Sequence, residues 1–279
     1  CRWALRGWDD VGDVPHDNED LLMIWAFERA KRAKDFPEIC QLIRGYQLPR
    51  ECVPTQWLTN PAVWEALLEK MPMHAMVRNL ATMTRIGLIA PFSNAVGKVL
   101  AELANPERIK KSRLHPIALL TAMRTYAAGK SVKGSSTWEP VQQIVDALDG
   151  AFYTAFQNVE PTNKRWMLAL DVSGSMGQGE VAGVPGLSPR VASAAMALVT
   201  ANTEPQHMFV GFTNSGYHHM GGRSMHVGYR SGLTPLAISP RQRIDDVCRY
   251  TAALPMGGTD CALPMLYAMD QKISVDAFV

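Results

Sequence analysis

The period of the hydrophobic pattern changes at Pro161, and that change constrains the fold more than any other feature of the chain. Upstream, apolar residues recur every three or four positions, as in "EDLLMIWAFERAKRAK" with Leu21, Leu22, Trp25 and Ala26, which is the period of an amphipathic helix. Downstream, short continuous apolar runs such as "RWMLAL" alternate with helical stretches, the pattern of parallel strands buried on both faces. With 279 residues, 47% of them apolar, the chain is long enough for two cores. We therefore expect a helical region over residues 1–160 and an α/β domain over 161–279.

At least six helices are expected before Pro161. "FPEICQLIRGY" carries Pro37 in its first turn and Gly45 near its stop. "NPAVWEALLEKM" has Asn60 as an N-cap with Pro61 behind it, and "PMHAMVRNLATMTRIGLI", "SRLHPIALLTAMRTYAAGK" and "TWEPVQQIVDALDGAFYTAFQNV" follow. Short Pro- or Gly-marked turns join them, which suggests stacked helical hairpins, a HEAT-like α-solenoid. Trp25, Trp57, Trp64 and Trp138 fall at core spacing and read as packing residues first, although exposed rings can stack on bases.

After Pro161, "RWMLAL", "HMFVGFT" and "VDAFV" read as strands and "RSMHVGY" as a short edge strand. "SPRVASAAMALVTANT", "SPRQRIDDVCRYTAAL" (starting at Ser239 or Pro240) and "CALPMLYAMDQ" read as helices, with "YHHM" in a polar loop. That order indicates an open, doubly wound α/β sheet with helices on both faces.

The first strand ends in "ALDVSGSMGQG". In such a sheet ligands sit beyond the carboxyl ends of the strands, so Asp171 points to a site. A carboxylate at the mouth of a buried strand needs a partner. The spacing D-x-S-x-S adds the hydroxyls of Ser173 and Ser175, an oxygen-only set suited to a hard divalent cation, Mg²⁺ above all. "PMGGTDCALPM" offers Thr259 and Asp260 to the same crevice. Two other readings stay open: Asp171 caps its own turn with the serines solvating it, or "SGSMG" is a near miss of the G-x-S-x-G nucleophile elbow, with Ser175 as the nucleophile of a hydrolase. A phosphate-binding loop is excluded, since no Lys follows the glycines. The histidines of the same domain, His218 and His219 among them, lack zinc-ligand spacing.

Net charge is +2, but it is unevenly placed. Residues 98–133 hold eight Lys or Arg against Glu102 and Glu107, while residues 9–20 hold six acids and no base. A net-basic face on a curved helical array can follow a phosphate backbone with salt-dependent affinity and little sequence readout; an ordinary solvated helix surface would look the same. Lys110, Lys111, Arg113, Lys130 and Lys133 are the expected contacts, with His115 either among them or a packed helix-start residue before Pro116. The five scattered cysteines form no framework and point to a reducing compartment. No apolar run is long enough to span a membrane, and a cytoplasmic location is expected.

These motifs together carry a resemblance. "DVSGSM" and "GGTD" resemble the first two segments of the metal-ion-dependent adhesion site (MIDAS) of von Willebrand factor A domains. "MPMHAMVRNLATMT", "LHPIALLTAMRTYAAGK", "ALDGAFYTAFQNVEPTNKRWMLALDVSGSM" and "GGTDCALPMLYAMDQ" are similar to the TROVE-module family, that of the Ro 60 kDa autoantigen and its bacterial relatives. The resemblance implies a ring of HEAT-like repeats, monomeric, closed by the A domain. It implies a ribonucleoprotein role: Y RNA on the outer surface, single-stranded 3′ ends of misfolded RNA through the central hole, RNA quality control, and in bacteria an exoribonuclease partner such as polynucleotide phosphorylase. It places the metal on Asp171, Ser173, Ser175 and Thr259, with Asp260 adjacent. A further Asp of the family's site and its main Y RNA contacts are expected outside Cys1–Val279, and a chain that does not start with Met and stops within the strand-like "ISVDAFV" reads as a fragment of a longer protein. The expectation is a non-enzymatic noncoding-RNA scaffold. The alternative is a metal-dependent adaptor without an RNA role.

Overall fold

The computed structural model describes residues 19–214, 217–220, 223–226, 232–254 and 257–279. Cys1 and the acidic run up to residue 18 lie outside the described residues. Among the described residues, eight α-helices precede the sheet: α1 (Leu22–Lys31), α2 (Phe36–Tyr46), α3 (Pro61–Leu68), α4 (Met73–Arg85), α5 (Asn94–Leu103), α6 (Pro106–Ser112), α7 (Pro116–Ala127) and α8 (Gln142–Thr154). Their starts follow the side-chain chemistry. Asp35, Asn60, Ser93 and Asn105 each accept a backbone N–H of the first turn, and proline stands in the first turn of α2, α3, α6 and α7. The sequence pattern did not single out α5 and α6. Both are short, and the basic run across them hid the apolar stripe of Ala95, Val96, Val99, Leu103 and Ile109, all buried.

Trp64 is fully buried and donates its indole N–H to Leu58 O at 2.7 Å. Trp138 donates to Tyr126 O at 2.9 Å, and the Tyr126 hydroxyl takes the N–H of Val141 at 3.2 Å. Both tryptophans are packing residues, as their spacing suggested.

In the second part, β1 (Trp166–Asp171), α9 (Pro189–Thr203), β2 (His207–Phe212), β5 (Leu233–Leu236), α10 (Ile244–Ala252), α11 (Leu263–Asp270) and β6 (Ala277–Phe278) build one four-stranded sheet of order β5-β2-β1-β6. β1 pairs in parallel with β2 and with β6, and β2 pairs antiparallel with β5. Leu168, Leu170 and Phe209 pack with α9 and α10, while Met167, Val210 and Phe212 pack with Leu263 and Ala268 of α11. Both faces are thus covered, as the unbroken apolar runs required.

Three details differ from the pattern-based reading. The sheet is mixed because β5 turns back along β2; "LTPL" is too short and too proline-marked to announce a strand. "YHHM" is a strand, β3 (Tyr217–Met220), paired with β4 (Arg223–His226) in a separate two-stranded sheet rather than at the edge of the main one. α10 begins at Ile244, because Ser239–Gln242 close a turn of their own, with Gln242 N–H on Ser239 O at 3.0 Å.

The two parts share one core, in which residues of α7 and α8 touch those of α9 and α10. Polar contacts fix the joint. The Tyr153 hydroxyl accepts the N–H of Ile244 at 2.9 Å, Arg243 bonds Asp149 and lies 4.2 Å over the Tyr153 ring, and Arg124 meets Asp245 at 3.4 Å. Upstream of β1, the buried Glu204 carboxylate accepts the N–H groups of Thr162 and Asn163 at 2.7 and 2.9 Å, pinning the connecting segment to the end of α9.

Candidate metal centre and basic surface

The chain passes from β1 to β2 on one side and reaches β6 on the other, so β1 is the strand at which the connections reverse direction. A crevice opens at the carboxyl end of such a strand, and Asp171 is its last residue. Alternation along β1 puts Asp171 on the same side as Met167, the side covered by α11. The loop leading into α11 carries Thr259, and the two meet: Thr259 Oγ1 donates to Asp171 Oδ2 at 3.3 Å. The other carboxylate oxygen, Oδ1, accepts Ser173 N–H at 2.8 Å. The Ser173 and Ser175 hydroxyls lie 3.1 Å apart, with Ser173 buried and Ser175 exposed.

Four of the five expected oxygen ligands therefore converge. Asp260 stands differently: its Oδ1 accepts Ala262 N–H at 3.0 Å at the entry to α11, and its own N–H donates to Thr213 O at 2.8 Å. Among the described residues, no three His, Cys, Asp or Glu side chains group so as to hold a metal ion. An ion here would rest on one carboxylate and three hydroxyls, an oxygen set that would suit Mg²⁺ and leave positions for water or an incoming carboxylate.

Three supporting residues were not singled out in the sequence. Arg190, in the first turn of α9, donates from Nη2 to Ser173 O at 3.3 Å and lies against Gly177, so it clamps the serine loop from beneath. Thr213 donates its hydroxyl to Gly258 O at 2.7 Å. Asn214 packs over the double glycine: a Cβ at position 257 would stand 2.3 Å from Asn214 Oδ1 and 2.8 Å from Thr213 Oγ1. That close approach is the physical reason for glycine before Thr259. The signal for Thr213 was its place just past the end of β2, next to Asp171 across the sheet.

The basic residues fall into two groups at opposite ends of α7. Lys110 and Lys111 occupy the last turn of α6, Arg113 caps it in the left-handed conformation (φ 54°), and His115 is the N-cap of α7, its Nδ1 accepting Ile117 N–H at 3.2 Å. All four are exposed, so His115 is a helix-start residue and a surface residue at once. Lys130 and Lys133 sit beyond the other end, on a hairpin closed by the Lys130–Thr137 bridge. Twelve helical residues separate the groups by roughly 18 Å. Of the eight cations in 98–133, Arg108 is paired with Glu102 and Arg124 with Asp245, whereas the five expected contact residues form no ion pair among the described residues. The hairpin also touches the loop that follows the serine motif, where a Cβ at Gly183 would lie 3.5 Å from Val132.

The four described cysteines are free. Burial pushes the Cys248 thiol up to about 11, so it stays protonated at neutral pH. No helix of the described residues is long and apolar enough to cross a membrane.

Comparison with known proteins agrees with both halves. The family model for the Ro60 vWA domain matches residues 165–279, and that for the TROVE domain matches 47–125. The RNA-binding protein RO60 of Deinococcus radiodurans is 38% identical over 94% of this chain and 46% of its own length. That of Caenorhabditis elegans is 37% identical over 98% of this chain and 41% of its own. The crystal structure of the Deinococcus radiodurans RO (RSR) protein superposes with a TM-score of 0.83 at 37% identity, covering 96% of this chain and 51% of that one. The chain spans about half the length of these relatives.

Proposed function

Since this chain belongs to the TROVE-module family of Ro60-type proteins, we propose that it is part of a cytoplasmic, non-enzymatic scaffold that binds small noncoding RNA. The observation that carries this reading is the pair of exposed cationic groups flanking α7, five charges with no ion pair among the described residues. Unpaired cations on a rigid helical frame attract phosphates without reading bases. The relatives named RNA-binding protein RO60 support it. Y RNA and the single-stranded 3′ ends of misfolded RNAs are the RNA classes proposed, and RNA quality control, with an exoribonuclease such as polynucleotide phosphorylase as partner, is the proposed setting.

The oxygen cluster at Asp171 is proposed as a divalent-cation site of the MIDAS type. Asp171, Ser173, Ser175 and Thr259 would hold the ion, and a bound ion would supply a Lewis-acid position for a partner's carboxylate. The chain's own residues do the positioning: Arg190 holds the serine loop and Thr213 holds the Gly-Gly turn. Among the described residues Ser175 Oγ meets Ser173 Oγ rather than an imidazole, which favours this reading over a serine hydrolase.

The test is a binding titration of a structured RNA with a single-stranded 3′ tail. Replacing Lys110, Lys111 and Arg113 by Gln should weaken binding at low salt and lower the slope of log K against log salt by about 2 to 3. Equal slopes for the variant and the parent chain would overturn the assignment. Mg²⁺-dependent capture of a protein with no RNA binding would favour the adaptor.

A further inference from the structure

We propose that Phe92, in the turn that follows α4, is a base-stacking platform for single-stranded RNA, with the exposed arginines Arg78 and Arg85 of α4 supplying the charge. This deepens the RNA-binding reading and rests on it. Phe92 is 95% exposed, the most exposed large apolar side chain among the described residues. Its backbone is left-handed, with φ 65°. In the turn Ala90–Ser93, Pro91 takes the second position and Phe92 the third, where a positive φ normally selects Gly or Asn. A bulky residue is uncommon there, and such conformations cluster at binding sites.

The turn is held firmly on both sides. Ser93 N–H donates to Ala90 O at 3.0 Å, and Ser93 Oγ accepts the N–H groups of Ala90 and Val96 at 3.4 and 3.3 Å. Ile89, 1% exposed, anchors the approach, its N–H on Met83 O at 3.1 Å. The ring is thus presented to solvent by a fixed backbone, so little ordering remains to be done when a planar ligand arrives.

The chemistry of the ligand follows from the neighbours along α4. His74, Arg78 and Arg85 are exposed and stand at i, i+4 and i+11, within about 40° of one another around the helix. Arg78 and Arg85 form no ion pair among the described residues. His74 and Arg78 also rim an open groove of about 640 Å³ between α4 and α7, opposite Thr121 and Thr125. An exposed aromatic in the turn after a helix that carries two unpaired arginines matches how single strands are held, with phosphates on the cations and a base on the ring. A protein-docking face would need a contiguous apolar patch, and among the described residues no other exposed large apolar side chain lies on α4, α5 or the turn between them.

The test uses the full chain and a single-stranded oligoadenylate carrying one 2-aminopurine, read by fluorescence quenching and by affinity. The parent chain should bind and quench. Phe92→Ala should lose the quench and roughly 5- to 150-fold in affinity, the range for one stacked base, while Phe92→Tyr and Phe92→Trp restore both. Arg78→Gln with Arg85→Gln should lower the salt slope by about 1.4 and leave the quench in place at low salt. Unchanged binding and quenching in Phe92→Ala overturns the stacking platform and leaves the wider RNA reading standing. Failure of Tyr and Trp to restore binding also overturns it. A parent chain that binds no RNA at all overturns both readings, which separates that failure from loss of the platform alone.

Discussion

Asp171 shows what a single residue contributes to this molecule and how it can be checked. Its carboxylate is shared between Thr259 Oγ1 and Ser173 N–H, so Asp171→Asn keeps the shape but removes the charge that would hold a divalent cation. Calorimetric titration with Mg²⁺ should show binding to the parent chain and none to Asp171→Asn; equal binding would place the ion elsewhere. Gly257→Ala tests the second loop, because its Cβ would collide with Asn214 and Thr213. It should weaken Mg²⁺ binding by moving Thr259 while leaving the helical half as stable as before. Most of this site was legible in the sequence: D-x-S-x-S and "GGTD" are local signals. Arg190 and Asn214 were not, since an Arg in a first helical turn and an Asn after a strand acquire a role only when folding brings them against the loops.

Glu204 illustrates a residue whose protonation bears on stability. Burial raises its carboxyl pKa, but the N–H groups of Thr162 and Asn163 outweigh that and hold it below the ordinary 4.5. A group with a lowered folded pKa contributes stability that is complete above its unfolded pKa and is lost as the pH falls through the folded one. Thermal unfolding between neutrality and about pH 3 should therefore fall less steeply for Glu204→Gln than for the parent chain. Parallel profiles would mean the connecting segment is not held by this charge.

Among the elements, α8 and α10 form the joint between the two halves. The Tyr153 hydroxyl takes the N–H of Ile244 at the start of α10, where no N-cap side chain does so. Tyr153→Phe leaves that N–H without its partner and should cost about 1 kcal/mol in urea unfolding; no change would mean that water replaces the hydroxyl. Long periodic helices such as α2, α4 and α8 were plain from the sequence, and so was the alternation that gives β1 and β2. β5 and α6 were not, for a shared physical reason: at four and seven residues they are too short to display a period, and their placement depends on pairing with β2 and on packing beside α5. The separation of the basic residues into two groups was also invisible. Residues 110–115 and 130–133 are neighbours in the chain, and only the rigid length of α7 sets them apart.

For the whole molecule, one hydrophobic core runs from the helices into the α/β domain, so the basic hairpin and the serine loop belong to one continuous frame. The hairpin bearing Lys130 and Lys133 lies beside the loop after the oxygen cluster, with Val132 3.5 Å from where a Cβ at Gly183 would stand. In the proposed function this frame presents its unpaired cations to RNA. The most direct measurement is the affinity of the chain for a structured RNA with a single-stranded 3′ tail, taken over a salt series with and without Mg²⁺. Log affinity should fall linearly with log salt, weaken when the tail is removed, and persist without Mg²⁺. Binding no tighter than that of a neutral control protein at low salt would contradict it.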